Sequence, residues 1–464
     1  MSPHATRLTR RRFLGTSAAA GIASALAAPT HAQTTDRPLP FRVGTGVEAI
    51  TPPLGVGILM SSGRQAWEPF EGVRLPLHAK AVVIEKGDRR IAMVSLDLIG
   101  LAGEAVGGMA GFRDRVAEAS GGAIGANDLV LASTHTHSGP ESIALSDLYH
   151  GEDFRKWASQ LAERIGSAVR KAAAGTRPAR PMVGSRPVRG LAVNRRIKTT
   201  RGIASVRRKL PPDEVIGPEG PIDEQVRVCA FAPKNGTGLI SRNDRKGPSQ
   251  KLDLSRFSAV LVNFTAHPVH EMCIKQVSPD YPGEMCLALE KRHPDATALF
   301  FQGACGNINP PTVSSGAASA EEYGRKLAER VDEALGDLRA VEGDRLALSW
   351  KSIRLPARTV TGEPQPEPLE TRIGAARIGD AAFVFLPGEP FVEIGLAIRE
   401  ASPFAFTAVV GYADDYIGYI PTDRAFAGGG YEIGPGRWSR LASGSEPIVR
   451  QAGIELLRSL AGRP

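Results

Sequence analysis

Leu129-Val130-Leu131-Ala132-Ser133-Thr134-His135-Thr136-His137-Ser138-Gly139-Pro140 is an apolar run that breaks into a polar turn. The run predicts a buried strand, and the turn carries two histidines. On an extended backbone side chains alternate with period two, so His135 and His137 point to the same side. Two imidazoles leaving a strand together can share one metal, or divide into ligand and proton donor. A His-x-His pair lacks the specificity of the longer metal motifs, so its partners must come from elsewhere in the chain.

The same plan recurs downstream. Val262-Asn263-Phe264-Thr265 runs into Ala266-His267-Pro268-Val269-His270, and residues 298–302 end in Gly303-Ala304-Cys305-Gly306-Asn307-Ile308-Asn309-Pro310. A strand at 382–386 delivers Pro387-Gly388-Glu389, and one at 407–410 leads into Gly411-Tyr412-Ala413-Asp414-Asp415-Tyr416-Ile417-Gly418-Tyr419. Further strands are expected at 41–50, 79–85, 90–98, 225–232 and 258–265, with a hairpin turn at Lys86-Gly87-Asp88-Arg89. Helical spacing predicts helices at 153–174, 320–338, 390–400 and 446–461. Residues 190–220 are too long for a simple connection, 233–251 read as a polar insertion, and 361–370 as a surface connection. The expected fold is a mixed α/β (α+β) domain. Layered sheets flanked by helices carry a metal site at their strand ends.

The first 32 of the 464 residues read as an address. Thr9-Arg10-Arg11-Arg12-Phe13-Leu14 is a twin-arginine pattern, followed by a small and apolar run and by Thr30-His31-Ala32 as a cleavage site. Residues 1–32 are therefore expected to be a signal peptide, residues 33–464 a single catalytic domain, and the protein periplasmic or secreted through the Tat export machinery. Without the four arginines of that segment the formal charge falls from +8 to +4, and no basic block remains to suggest nucleic acid. No stretch is long and apolar enough to predict a membrane span. The four cysteines (Cys229, Cys273, Cys286, Cys305) are too few for a disulfide scaffold, and Cys273–Cys286 is the nearest pair for one bridge.

Taken together, the strand ends offer His135 and His137, His267 with His270, Glu389, and Tyr416 with Tyr419. Nitrogen and oxygen donors on separate rigid strands suit a catalytic Zn²⁺, whose open position lowers the pKa of bound water to ~7. On the residues alone the reading is a metallohydrolase.

The succession Ser133-Thr134-His135-Thr136-His137-Ser138-Gly139-Pro140, Asn194-Arg195, Ala266-His267-Pro268, Phe301-Gln302-Gly303-Ala304-Cys305-Gly306-Asn307, Pro387-Gly388-Glu389 and Tyr416-Ile417-Gly418-Tyr419 resembles the neutral/alkaline (non-lysosomal) ceramidase family. The order is the same, in patches spanning nearly the whole chain after residue 32. The Thr-His-Thr-His-Ser-Gly-Pro string is the specific part. The resemblance implies one Zn²⁺ per chain held by His135, His267, Glu389 and Tyr419. It implies that His137 and Arg195 contact the scissile group, and that Tyr416 joins them beside the metal tyrosine. The implied reaction is hydrolysis of the amide of ceramide or a related N-acyl lipid by metal-activated water, with peripheral membrane contact. Asp97 has two readings, a carboxylate that orients a histidine and a plain strand-end aspartate.

Two departures from the family stand out. Its glutamine loop carries a serine where this chain has Gly303, so a covalent serine route is excluded there. Cys305 reads as a buried packing residue rather than a substitute nucleophile. The chain also ends soon after the tyrosine motif, so the C-terminal β-sandwich domain of the family is expected to be missing. The rival readings are a metal-dependent hydrolase of another ester, lactone or acyl-sugar, and a non-catalytic periplasmic metal- or ligand-binding protein.

Overall fold

The computed structural model describes residues 40–56, 69–205, 210–233, 257–272 and 274–462. The expected signal segment at 1–32, Cys273 and nearly all of the expected 233–251 insertion lie outside the described residues.

Nine strands form the principal sheet: β1 (Phe41–Ala49), β2 (His78–Lys86), β3 (Arg89–Leu96), β4 (Leu129–Ser133), β5 (Arg177–Pro187), β6 (Gln225–Pro233), β7 (Ala259–Phe264), β8 (Thr297–Gln302) and the short β9 (Arg339–Ala340). Their order is β8-β7-β6-β5-β1-β2-β3-β4, with β9 on β5. A second sheet runs β10 (Leu346–Leu355), β11 (Leu369–Ile378), β12 (Ala381–Phe385), β13 (Phe406–Val410) in sequence order. Four longer helices matter for packing: α1 (Glu152–Ala174), α2 (Asp280–Arg292), α3 (Ala317–Leu335) and α4 (Ser445–Ala461).

Alternate residues explain the layering. On β2, Ala79, Ala81 and Val83 join Trp157, Leu161 and Ile165 of α1, whereas Val82 and Ile84 join Phe383, Phe385 and Phe406 of the second sheet. Strands buried on both faces carry apolar residues continuously, which is why these runs do not alternate. Val228, Val262 and Phe300 pack under α2 and α3, and Ile373 and Val384 pack with Leu457 of α4. Helices thus cover the outer faces of both sheets. β1 lies so close to α1 that a Cβ on Gly46 would sit 2.1 Å from the Ala168 carbonyl oxygen. Gly46→Ala is expected to cost about 1–3 kcal/mol through overpacking against backbone, measurable as a lowered midpoint in urea unfolding.

Three parallel pairs end on one side: β3 with β4 at Leu96 and Ser133, β7 with β8 at Phe264 and Gln302, and β12 with β13 at Phe385 and Val410. Their loops are stitched together, since Ser133 N donates to Tyr412 O and Gly411 N donates to Gln302 O. Crevices beyond the carboxyl ends of parallel strands are where open α/β sheets bind ligands.

Sequence periodicity located most of these elements within a few residues. The structure differs at β5, where Pro178, Pro181 and Pro187 argue against an internal strand. Burial of Ala179, Met182 and Val183 outweighs the missing N–H donors. The 361–370 connection runs into β11 at Leu369. Within 190–220, short strands Arg196–Thr199, Gly202–Ser205 and Val215–Pro218 form an antiparallel sheet with Arg196–Thr199 in the centre.

Candidate metal centre

The two histidines that follow β4 face one another with Nε2 atoms 3.2 Å apart. The expected mechanism for this was wrong. β4 stops at Ser133, and His135 has a φ of 70°, so strand alternation does not aim the pair. A left-handed backbone at a non-glycine residue is costly and persists only where surroundings over-determine it. Here His135 N donates to Leu98 O at 2.8 Å, and its Nδ1 lies 2.6 Å from Ile99 O. A carbonyl only accepts, so Nδ1 carries the proton and the Nε2 lone pair is presented to the site. Of the two readings for Asp97, the plain strand-end aspartate holds: its Oδ2 accepts from His78 N at 2.9 Å, and the Ile99 carbonyl orients His135.

His267, just beyond β7, is held in the same way: its Nδ1 donates to Ile308 O at 3.0 Å. Burial, with the nearby Arg195 guanidinium, depresses its pKa to about 3, so the imidazole is neutral. Gln302 joins the two histidine loops, its amide donating to Thr134 O (3.2 Å) and Ala266 O (2.9 Å).

Glu389 begins a two-residue ribbon alongside Tyr419. The preceding Gly388 has a φ of 63°, and a Cβ there would sit 2.3 Å from Gly418 O, so only glycine fits the turn. Glu389 Oε2 lies 3.1 Å from His267 Nε2 and 3.4 Å from His135 Nε2. Tyr416 donates to Oε1 at 2.6 Å, and Tyr412 donates to Oε2 at 3.3 Å.

The donor chemistry fits a cation. Bare nitrogens and a carboxylate oxygen, all acceptors, converge at separations of 3.1 to 3.4 Å. Tetrahedral ligands about 2.0–2.1 Å from a Zn²⁺ lie roughly 3.3 Å apart. The ring nitrogens of His135, His137 and His267 lie within 4.8 Å of one another. Arg195 faces this cluster, with Nη2 donating to the Tyr419 hydroxyl at 2.9 Å and Nη1 3.3 Å from His267 Nε2. All seven residues singled out in the sequence, His135, His137, Arg195, His267, Glu389, Tyr416 and Tyr419, therefore meet in one region. His270 does not join them in the contacts it makes: its Nδ1 pairs with Ser315 Oγ at 2.8 Å.

Tyr412 was missed. It stacks on the His135 ring with centroids 4.0 Å apart. An aromatic after a strand reads as packing, and nothing in its spacing marks it otherwise.

No family model matches the chain. Neutral ceramidase of Pseudomonas aeruginosa is 29% identical over 290 residues, which cover 59% of this chain and 37% of that protein. The crystal structure of neutral ceramidase from Pseudomonas aeruginosa superposes with a TM-score of 0.69 at 20% identity, covering 92% of this chain and 75% of that one. A ceramidase structure complexed with C2 gives 0.69 at 19% identity, covering 92% and 76%. The chain is similar to neutral ceramidase in sequence and in fold. The sequence match spans well under half of that ceramidase's length, and the fold match extends over nearly all of this chain.

The space at Gly303 is filled. A Cβ there would sit 2.2 Å from the Thr265 hydroxyl. Cys305 is fully buried with Sγ 3.0 Å from the Tyr412 hydroxyl, and burial pushes its thiol far above the ordinary range. Such a thiol is inert. Cys305→Ala is therefore expected to keep turnover within about twofold of the parent in steady-state kinetics, and a dead variant would restore a thiol nucleophile. Cys229 and Cys286 are likewise buried free thiols.

Proposed function

We propose that this chain is a zinc-dependent hydrolase of the neutral ceramidase type, cleaving the amide of ceramide or a related N-acyl lipid. The convergence of His135 Nε2, His267 Nε2 and Glu389 Oε2 carries this reading. His135, His267, Glu389 and Tyr419 would hold the ion. Bound zinc would polarise the scissile carbonyl and lower the pKa of water.

The remaining groups do the positioning and the proton work. Tyr416 and Tyr412 fix the Glu389 carboxylate by donating to its two oxygens. Arg195 would supply donors where charge develops on the carbonyl oxygen. His137, half-buried beside His135, is placed to pass a proton to the leaving amine. A protein that only bound metal would need neither Arg195 nor His137. Residues 33–464 would act as one hydrolase domain after a twin-arginine signal at 1–32, in the periplasm or outside the cell. No described helix is long and apolar enough to cross a membrane.

A second reading has its own support. A cleft of about 570 Å³ bordering Tyr416 is lined by Arg358, Arg437, Arg440, Glu104, Glu367 and Glu370. Such a lining suits an ester, lactone or acyl-sugar with a polar head better than a second alkyl chain. Screening zinc-loaded protein against ceramides, N-acyl amino acids and simple esters decides between them. Metal analysis of mildly purified protein should find about one zinc per chain, and finding none would end the metal reading.

A further inference from the structure

Two consecutive arginines meet one buried carboxylate. Glu432 Oε1 accepts from Arg195 Nε at 2.7 Å, and Oε2 accepts from Arg196 Nη1 at 2.7 Å. Neighbouring side chains on a strand point to opposite faces. Arg195 and Arg196 escape this because Arg195 sits in the break between the strands Val193–Asn194 and Arg196–Thr199. Glu432 is 3% exposed, and its own backbone carbonyl accepts from Ser439 Oγ at 2.7 Å.

The partners divide unevenly. Arg196 has a second carboxylate, Glu219, and donates to Gly429 O at 2.7 Å. For Arg195, Glu432 is the carboxylate that takes its Nε edge. With that edge held, Nη1 and Nη2 are turned toward His267, Asn309 and the Tyr419 hydroxyl. A planar guanidinium gripped along one edge has its opposite donors fixed in direction.

The structure assigns Glu432 as the positioning residue that aims Arg195 at the metal centre, an inference resting on the hydrolase reading above. Among the described hydrogen bonds Glu432 reaches none of His135, His267, Glu389 and Tyr419 directly, so it acts through Arg195. Partners of this kind, one step removed from the reacting groups, set their orientation.

The experiment compares Glu432→Gln, Glu432→Asp and Arg196→Lys with the parent zinc protein, using the best substrate from the screen. Glu432→Gln should lower kcat about 10- to 100-fold with zinc content unchanged. Glu432→Asp should recover part of the loss. Arg196→Lys should lower thermal stability but leave kcat near the parent, because Arg195 keeps its carboxylate. Adding Arg195→Lys to Glu432→Gln should cost no more than Arg195→Lys alone. Equal kcat losses in Glu432→Gln and Arg196→Lys, or additive losses in the double variant, would overturn the assignment and make Glu432 a loop scaffold. A crystal structure of Glu432→Gln gives a readout without substrate: the Arg195–Tyr419 contact should be lost. If it persists, the inference fails even where the parent hydrolyses nothing, an outcome that would separately sink the hydrolase reading.

Discussion

His135→Ala is expected to lose bound zinc and hydrolysis together, whereas His137→Ala keeps the ion and slows turnover by ~10²–10⁴. The two residues are one apart in pattern but unlike in setting. His135 is 1% exposed, its Nδ1 proton is spent on Ile99 O, and its Nε2 faces Glu389 Oε2. His137 is half-buried and reaches the cluster through His135. Metal content per chain, measured beside kcat for each variant, separates the roles. Zinc lost from His137→Ala but retained in Glu389→Ala would mean that the three histidines are the ligand set and that Glu389 is not a ligand.

Arg195→Ala should cost both stability and turnover, about 3–5 kcal/mol in unfolding free energy and roughly 10²–10³ in kcat. Arg195 is a buried cation facing Glu432, with Glu389 nearby. Its removal leaves Glu432 to Arg196 alone and takes a donor from the Tyr419 hydroxyl. Arg195→Lys tells the two effects apart. A lysine restores the charge, so most of the stability should return, but a single ammonium cannot hold Glu432 and reach Tyr419 at once. Chemical denaturation and kinetics on the same preparations check this. Full activity in Arg195→Lys would reduce the residue to a counter-charge.

Much of the site was legible because its residues follow apolar strands. β4, β7, β12 and β13 stand out as apolar runs, and each is followed within about ten residues by a polar group that the fold uses. Arg195 was legible only through its motif, since it lies in the 190–220 region, whose short strands carry weak patterns. Gln302, too, entered only through its motif, and Glu432 and Tyr412 were not singled out from sequence. A glutamate in a glycine-rich loop, an amide after a strand and a tyrosine in a turn have strong bland readings, and only their partners distinguish them.

By itself the sequence determined that this chain alternates buried strands with amphipathic helices, and that histidine, glutamate and tyrosine wait at the strand ends. Covalent order and the burial of apolar side chains suffice for that. Only the tertiary structure decided how the donors meet. His135 is aimed by a left-handed backbone and the Ile99 carbonyl rather than by strand alternation, and Asp97 spends itself on the His78 amide. Those outcomes depend on hydrogen bonds between segments far apart in the chain, where competing partners lie within a few ångströms and local pattern has no say.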